Sequence, residues 1–265
     1  MLNQFFSNQI YLGIAQAAVA GLLALGFMWL ARWREIHLER EISISLLRGL
    51  VQIVAVGSVL VLLLQGPAWT SVFVLAAMML AAAGIAARRA GGLPGAFWVS
   101  LYGISIGSGL VIALMTWLGV IDSAVSSLIP VGSMLIANSM NTNSLSLDRF
   151  RGEVESHTGH IEAGLALGAA PQAVVQPYVR NAVRASLIPR IDSLRSLGIV
   201  WIPGLMAGMV LAGADPVYAA IYQFVVIAII FASSGITSLV STLLIRSKAF
   251  SDADQLILRT QAQNG

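Results

Sequence analysis

A few sets of side chains in this sequence have the type and spacing to do chemistry. Met134, Asn138 and Asn141 follow an i, i+4, i+7 pattern, which puts a thioether and two carboxamides on one helical stripe. Met206 and Met209 stand three residues apart beside Pro203 and Gly204. Methionine sulfur ligates soft metals and also fills gaps in cores. His157 and His160 sit among Glu153, Glu155 and Glu162, but no third strong ligand has helical spacing, so the segment reads as a solvated face and no metal site is assigned. Asp192 and Arg195, at i, i+3, can pair on one helix face, as a structural pair or as a gate.

Other chemistry is excluded by what the chain lacks. It has no cysteine, no Gly-Lys pair and so no Walker A loop, and no HExxH motif. The sequence predicts no catalytic residue, no nucleotide or cofactor bound by this chain, and no nucleic-acid partner. Active transport by such a chain has to borrow its energy.

The elements that position these residues are membrane helices. Hydrophobic residues make up 57% of the chain and charged residues 10%, against roughly 25% charged in soluble domains. A spanning helix needs about 20 largely apolar residues. The pattern predicts an all-α integral membrane protein with about seven such stretches, at 10–31, 44–64, 68–87, 96–120, 123–145, 194–212 and 217–245, in a single transmembrane domain over 1–265. All fifteen basic residues fall after spans one, three, five and seven or at the start of span two, and none lies on the other side. Cytoplasmic loops are the basic ones, so the N-terminus is expected outside and the C-terminus in the cytoplasm of a multi-pass plasma-membrane protein. The N-terminal residues lack the basic region of a cleaved signal peptide. Asp122 and Asp215 are expected to cap spans five and seven, and Ser251 to open a short tail helix. GxxxG pairs at Gly103/Gly107 and Gly204/Gly208 read as helix packing.

Span five is unusually polar, with Ser133, Asn138, Ser139, Asn141, Thr142, Asn143 and Ser144. Unpaired amides in hydrocarbon cost several kcal/mol, so this helix faces protein or water. It either lines a translocation path with Met134, Asn138, Asn141 and, from span six, Met206 and Met209, or it glues the bundle. The region 150–189 is too polar to cross a bilayer. Within it, 161–167 predicts a thin helix with Leu165 and Leu167 as knobs and Glu162 at its acidic end. Gly168 stops it, and Pro171 starts the next helix. Such a helix can lie in a groove of a partner protein. Gln172, Gln176, Arg180 and Arg184 then form one polar stripe of an amphipathic helix that lies on the membrane or leads into span six; the alternative is a packing helix whose arginines snorkel.

The runs PVGSMLIANSM at 130–140, SLSLDR at 144–149, LGAAP at 167–171, RNAVR at 180–184, LIP at 187–189, IVWIPGLMAGM at 199–209 and GADP at 213–216, with Tyr222 and Gln223, resemble in order and spacing the FetB-type permeases. That resemblance implies the membrane subunit of an ABC transporter. It would be a homodimer in a two-plus-two complex with a cytoplasmic FetA-like ATPase, and that partner would hold ATP and magnesium. It implies a link to iron export and metal homeostasis in bacteria, and to aluminium tolerance in plants, where a nucleotide sugar is a proposed substrate. It makes Glu162, Ala163, Leu167, Gly168 and Ala169, closed by Pro171, the ATPase-coupling helix, with Gly164 in place of the second alanine of the related Glu-Ala-Ala motif.

Overall fold

Long apolar runs leave the helix as the way to satisfy every backbone group inside hydrocarbon. The computed structural model describes residues 9–37, 39–251 and 255–258, and these form helices joined by turns, with two isolated β-bridges as the only extended pairing. The residues before Gln9, positions 252–254 of the expected tail helix, and Arg259 lie outside the described residues. The chain forms two units, Met1–Gln65 and Gly66–Gly265.

The first unit holds α1 (Gln9–Trp33) and α2 (Glu39–Leu64). Most of their described side chains are exposed and apolar, as in lipid-facing helices. Ser43 Oγ donates to Met28 Sδ at 3.3 Å, one of the few polar links between the two helices.

The second unit begins with α3 (Ala68–Arg89) and α4 (Ala96–Trp117), which carries a π-helical turn at Ser105–Leu110. It continues with α5 (Val125–Ser156), α6 (Thr158–Ala166), α7 (Pro171–Ser196), α8 (Gly204–Leu211) and α9 (Pro216–Lys248). Helices α1 to α4 and α9 are long and apolar enough to cross a membrane.

Three expectations are corrected here. The stretch 194–212 is not one helix: α7 runs through to Ser196, the chain turns over 197–203, and α8 starts after Pro203. Gly198, at φ +75°, and Pro203, extended at the N-cap of α8, make the break. The amphipathic segment leads into this stretch, one of the two placements expected for it, and its buried face also fits the packing-helix alternative. It is the first part of α7, and Val175, Val179, Ala182 and Ser186 are buried between α5 and α9. Asp215 caps α9 as expected, accepting from the Tyr218 amide at 2.9 Å. Asp122 instead accepts from the Ala124 amide at 3.0 Å, a turn before α5 begins. Beyond Ser251 the described tail is extended, with Leu256 bridged to Phe250 rather than helical.

Two apolar cores hold the second unit. One joins Leu147, Phe150 and Val154 of α5 to Ile161, Val175, Val179 and Ile245. The other joins Leu75, Ile104, Ile112, Leu135, Ile136 and Val226. Hydroxyls stitch the same helices together. Ser139 and Ser233 share a hydrogen bond at 2.8 Å, Ser233 reaches Ser108 at 3.4 Å, and Ser186 meets Ser238 at 2.8 Å. The α9 side of this seam is Ser233, Ser234, Thr237, Ser238, Ser241 and Thr242, all buried. The GxxxG at Gly103 and Gly107 lies against it; the one at Gly204 and Gly208 faces open space.

Candidate functional site

The polar side of α5 divides once its neighbours are placed. Ser139, Thr142, Asn143, Ser144 and Ser146 are buried, and Ser139 belongs to the seam with α9. Met134 and Asn138 instead enter the wall of a cavity of about 330 Å³ between α5, α7, α8 and α9. Asn141 does not: it lies farther along α5, exposed on a face no neighbour covers. Met206 and Met209 do not line the cavity either. Because α8 begins only at Gly204, its first residues, Gly204 and Leu205, face the space. The Met206 amide donates to Gln223 Oε1 at 3.2 Å.

Sequence reasoning missed the side chain that dominates this site. Arg190 of α7 reaches into the cavity and donates through Nη1 to Asn138 Oδ1. Asn138 is fixed in turn, since its Nδ2 donates to the Met134 carbonyl at 2.7 Å. Gln223, 2% exposed, faces the same space from α9, with Ser193 of α7 and with Trp201 and Pro203 of the break. The signals existed. Arg190 breaks the four-residue spacing of Arg180 and Arg184 and so lies on another face of α7. Gln223 is a lone amide in an apolar run, and intramembrane polar residues mark function or packing.

The stretch around Gly168 folds as its turn chemistry predicts. Helix α6 ends at Ala166, and Gly168 takes φ +84°. Its amide bonds Leu165 O at 2.9 Å, and the Ala169 amide bonds Gly164 O at 3.0 Å, a glycine cap that satisfies two orphan carbonyls. Pro171 opens α7. Ile161 is buried, Glu162 and Ala163 are exposed, and Leu167 stands 88% exposed at the tip. The glycine at 164 has a local cause: a Cβ there would sit 3.2 Å from a Val174 methyl, so Gly164 lets α6 close on α7. The imidazole of His157 stacks on Tyr178 at 4.8 Å and ties the same two helices. Among the described residues, no three acidic or histidine side chains gather as a metal-holding group. Asp192 and Arg195 pair at 3.7 Å with both side chains mostly exposed, a weak surface pair.

The model of the Uncharacterised protein family (UPF0014) matches residues 14–250. The chain belongs to the UPF0014 family. Among UPF0014 relatives, membrane protein YjkA of Bacillus subtilis is 30% identical over 248 residues, covering 93% of this chain and 98% of that protein. The probable iron export permease protein FetB of Escherichia coli is 28% identical over 242 residues, 91% and 93% of the two chains. The protein ALUMINUM SENSITIVE 3 of Arabidopsis thaliana is 28% identical over 262 residues, 96% and 95%. No solved structure matches. Together with its apolar helices, family membership makes this chain a multi-pass membrane protein.

The division of α5 predicts different outcomes for its two amides. Asn138→Leu removes the acceptor that holds Arg190, leaving a half-buried guanidinium to lose about 1–3 kcal/mol. Asn141→Leu, on an open face, is expected to stay within about 0.5 kcal/mol. Thermal melts of the two purified variants in one detergent check this; equal melting temperatures would contradict it.

Proposed function

We propose that the chain is the membrane-spanning permease subunit of an ABC transporter, with two copies joined to two copies of a separate cytoplasmic ATPase of the FetA type. It works in the plasma membrane, the inner membrane of a Gram-negative cell, and exports a solute in metal homeostasis. The naming of the Escherichia coli relative as a probable iron export permease supports the direction and the metal link. The basic loops support an outside N-terminus and a cytoplasmic C-terminus. The α5 helix and the broken α7–α8 pair complete seven crossings with the five apolar helices. Irregular backbone at membrane depth is tolerated where it lines a cavity, and Trp201 and Pro203 of the break line this one.

One observation carries the reading: α7 is a single helix from the docking turn to the cavity. It starts at Pro171, directly after the exposed tip at Leu167, and continues past Arg190. The nineteen 1.5 Å steps from Pro171 to Arg190 make a lever about 28 Å long. Closure of the ATPase pair around ATP and magnesium would push the α6–α7 turn. The packed face of α7 would carry that displacement to the Arg190–Asn138 contact, where the cavity wall changes partners. Met134 and Asn138 stand on the path, and Asp192 and Arg195, two and five residues beyond Arg190, move with the same lever.

The test is assembly and stimulation. The chain co-expressed with its candidate ATPase is expected to purify with it at one-to-one stoichiometry and to raise its ATP turnover when reconstituted. A chain that transports alone, with no ATPase bound, would overturn the proposal in favour of a channel or carrier.

A further inference from the structure

The cavity wall has a one-sided hydrogen-bond inventory. Its amide side-chain oxygens are already engaged, with Asn138 Oδ1 accepting from Arg190 and Gln223 Oε1 accepting from the Met206 amide, while the Ser193 hydroxyl donates to the Pro189 carbonyl at 2.8 Å. That second bond fixes which end of the Gln223 amide is which. Its donors are not all engaged: Gln223 Nε2 and Arg190 Nε are both buried without a partner. Gly204 and Leu205, the first two residues of α8, also line the space, and the first amides of a helix have no intrahelical carbonyl to bond. Among the described residues no aspartate or glutamate lines the cavity, and Arg190 is its one ion. The rest of the wall is largely apolar, with Ile227, Ile230 and Phe231, which strengthens an uncompensated charge.

We propose that this cavity binds an oxyanion, a carboxylate or phosphate group, through the Arg190 guanidinium, the Gln223 carboxamide NH2 and the free amides at the start of α8. Guanidinium geometry suits both groups, and a helix N-terminus adds positive potential at the same place. Asn138 is a positioning residue, holding Arg190 without neutralising it. The same wall rejects a bare divalent cation, because a fixed positive charge faces it and no carboxylate or imidazole is present to ligate it. A metal would pass here only inside an anionic chelate. The volume, about 330 Å³, is at the small end of ligand pockets and suits a citrate-sized molecule. That the anion is the cargo rests on the permease reading; that the site binds an anion does not.

Binding is therefore measured on the full chain in detergent, without the ATPase. Trp201 in the wall is the reporter, with Trp201→Phe identifying its share of the emission. Citrate, inorganic phosphate and ferrous ion alone are titrated in turn. A saturable change with citrate or phosphate is expected, weakened at least tenfold in Arg190→Gln and in Gln223→Leu and less severely in Arg190→Lys, which keeps the charge but loses the guanidinium fork and its Nε donor. Nanodiscs of phosphatidylcholine, with and without phosphatidylglycerol, separate the sources of the anion. Competition between added phosphatidylglycerol and citrate supports the site and makes a lipid headgroup its occupant, whereas a citrate response indifferent to the lipid supports a soluble ligand. Should Arg190→Gln fail to fold, the Gln223→Leu and Arg190→Lys titrations carry the test. No saturable response to either anion, or a ferrous response that Arg190→Gln leaves unchanged, overturns the proposal. Loss of ATPase association with anion binding intact would instead strike the permease reading alone.

Discussion

Leu167→Arg is expected to strip the ATPase subunit from the purified complex while leaving the melting temperature of the bundle where it was. Leu167 is 88% exposed at the end of α6, so it contributes almost nothing to the fold of the isolated chain. Burying a leucine in a partner groove is worth about 1.5–3 kcal/mol, and an arginine in the same groove adds a desolvation cost. Each 1.4 kcal/mol is tenfold in affinity, so weakening on the order of a hundredfold is the expected scale. Gly168→Arg is a poorer probe of the same contact. Gly168 sits at φ +84°, where any other residue costs about 1–2 kcal/mol before a partner is considered, so that variant confounds cap strain with docking. Glu162→Arg, on the exposed face of α6, is a cleaner second variant and tests charge at the same surface. Quantified co-purification and a melt of each chain decide the matter; ATPase at wild-type stoichiometry with Leu167→Arg would remove this turn from the docking surface.

The legible parts of the molecule are those written in local chemistry. The turn at Gly168 and the start at Pro171 follow from residues that favour one backbone conformation, and both stand where the sequence puts them. The Asp215 cap is likewise a matter of neighbouring residues. The helices α1 to α4 are readable because lipid demands long apolar runs. The break at 197–203 was hidden because Leu, Ile, Val and Trp fill it: hydropathy averages over a window and does not register that an apolar segment has left the helix to line a cavity. The polar residues of α5 were visible as a set, but their division was not. Ser139 and Asn138 are adjacent in sequence, yet one meets a serine of α9 and the other an arginine of α7, and only the placement of both neighbours separates them. Arg190 shows the same limit. Read along the chain it is one more basic residue near a membrane boundary; only the packing of α7 against α5 turns it inward.

The two GxxxG motifs, indistinguishable by spacing, are expected to respond differently to the same substitution. Gly107 lies in the π-helical turn of α4 against the hydroxyl seam of α9. A Cβ there would fall 2.8 Å from the Ser233 carbonyl oxygen and 2.8 Å from the Thr237 amide nitrogen. These are backbone atoms, so no rotamer change relieves the clash, and the helices have to part. Gly107→Leu is therefore expected to cost at least the overpacking penalty of about 1–3 kcal/mol. To this is added the loss of the Ser108–Ser233 and Ser139–Ser233 contacts, at about 0.6 kcal/mol each for hydrogen bonds between membrane helices. A Cβ at Gly208 would meet no heavy atom within 4 Å, and Gly208→Leu is expected to leave the melting temperature of the single chain unchanged. Melts and size-exclusion profiles of the two variants in the same detergent compare them directly. A Gly107→Leu chain that melts with the wild type would mean that α4 and α9 are not in close contact, and with that the hydroxyl seam holding the cavity-lining face of α9 in place would fall.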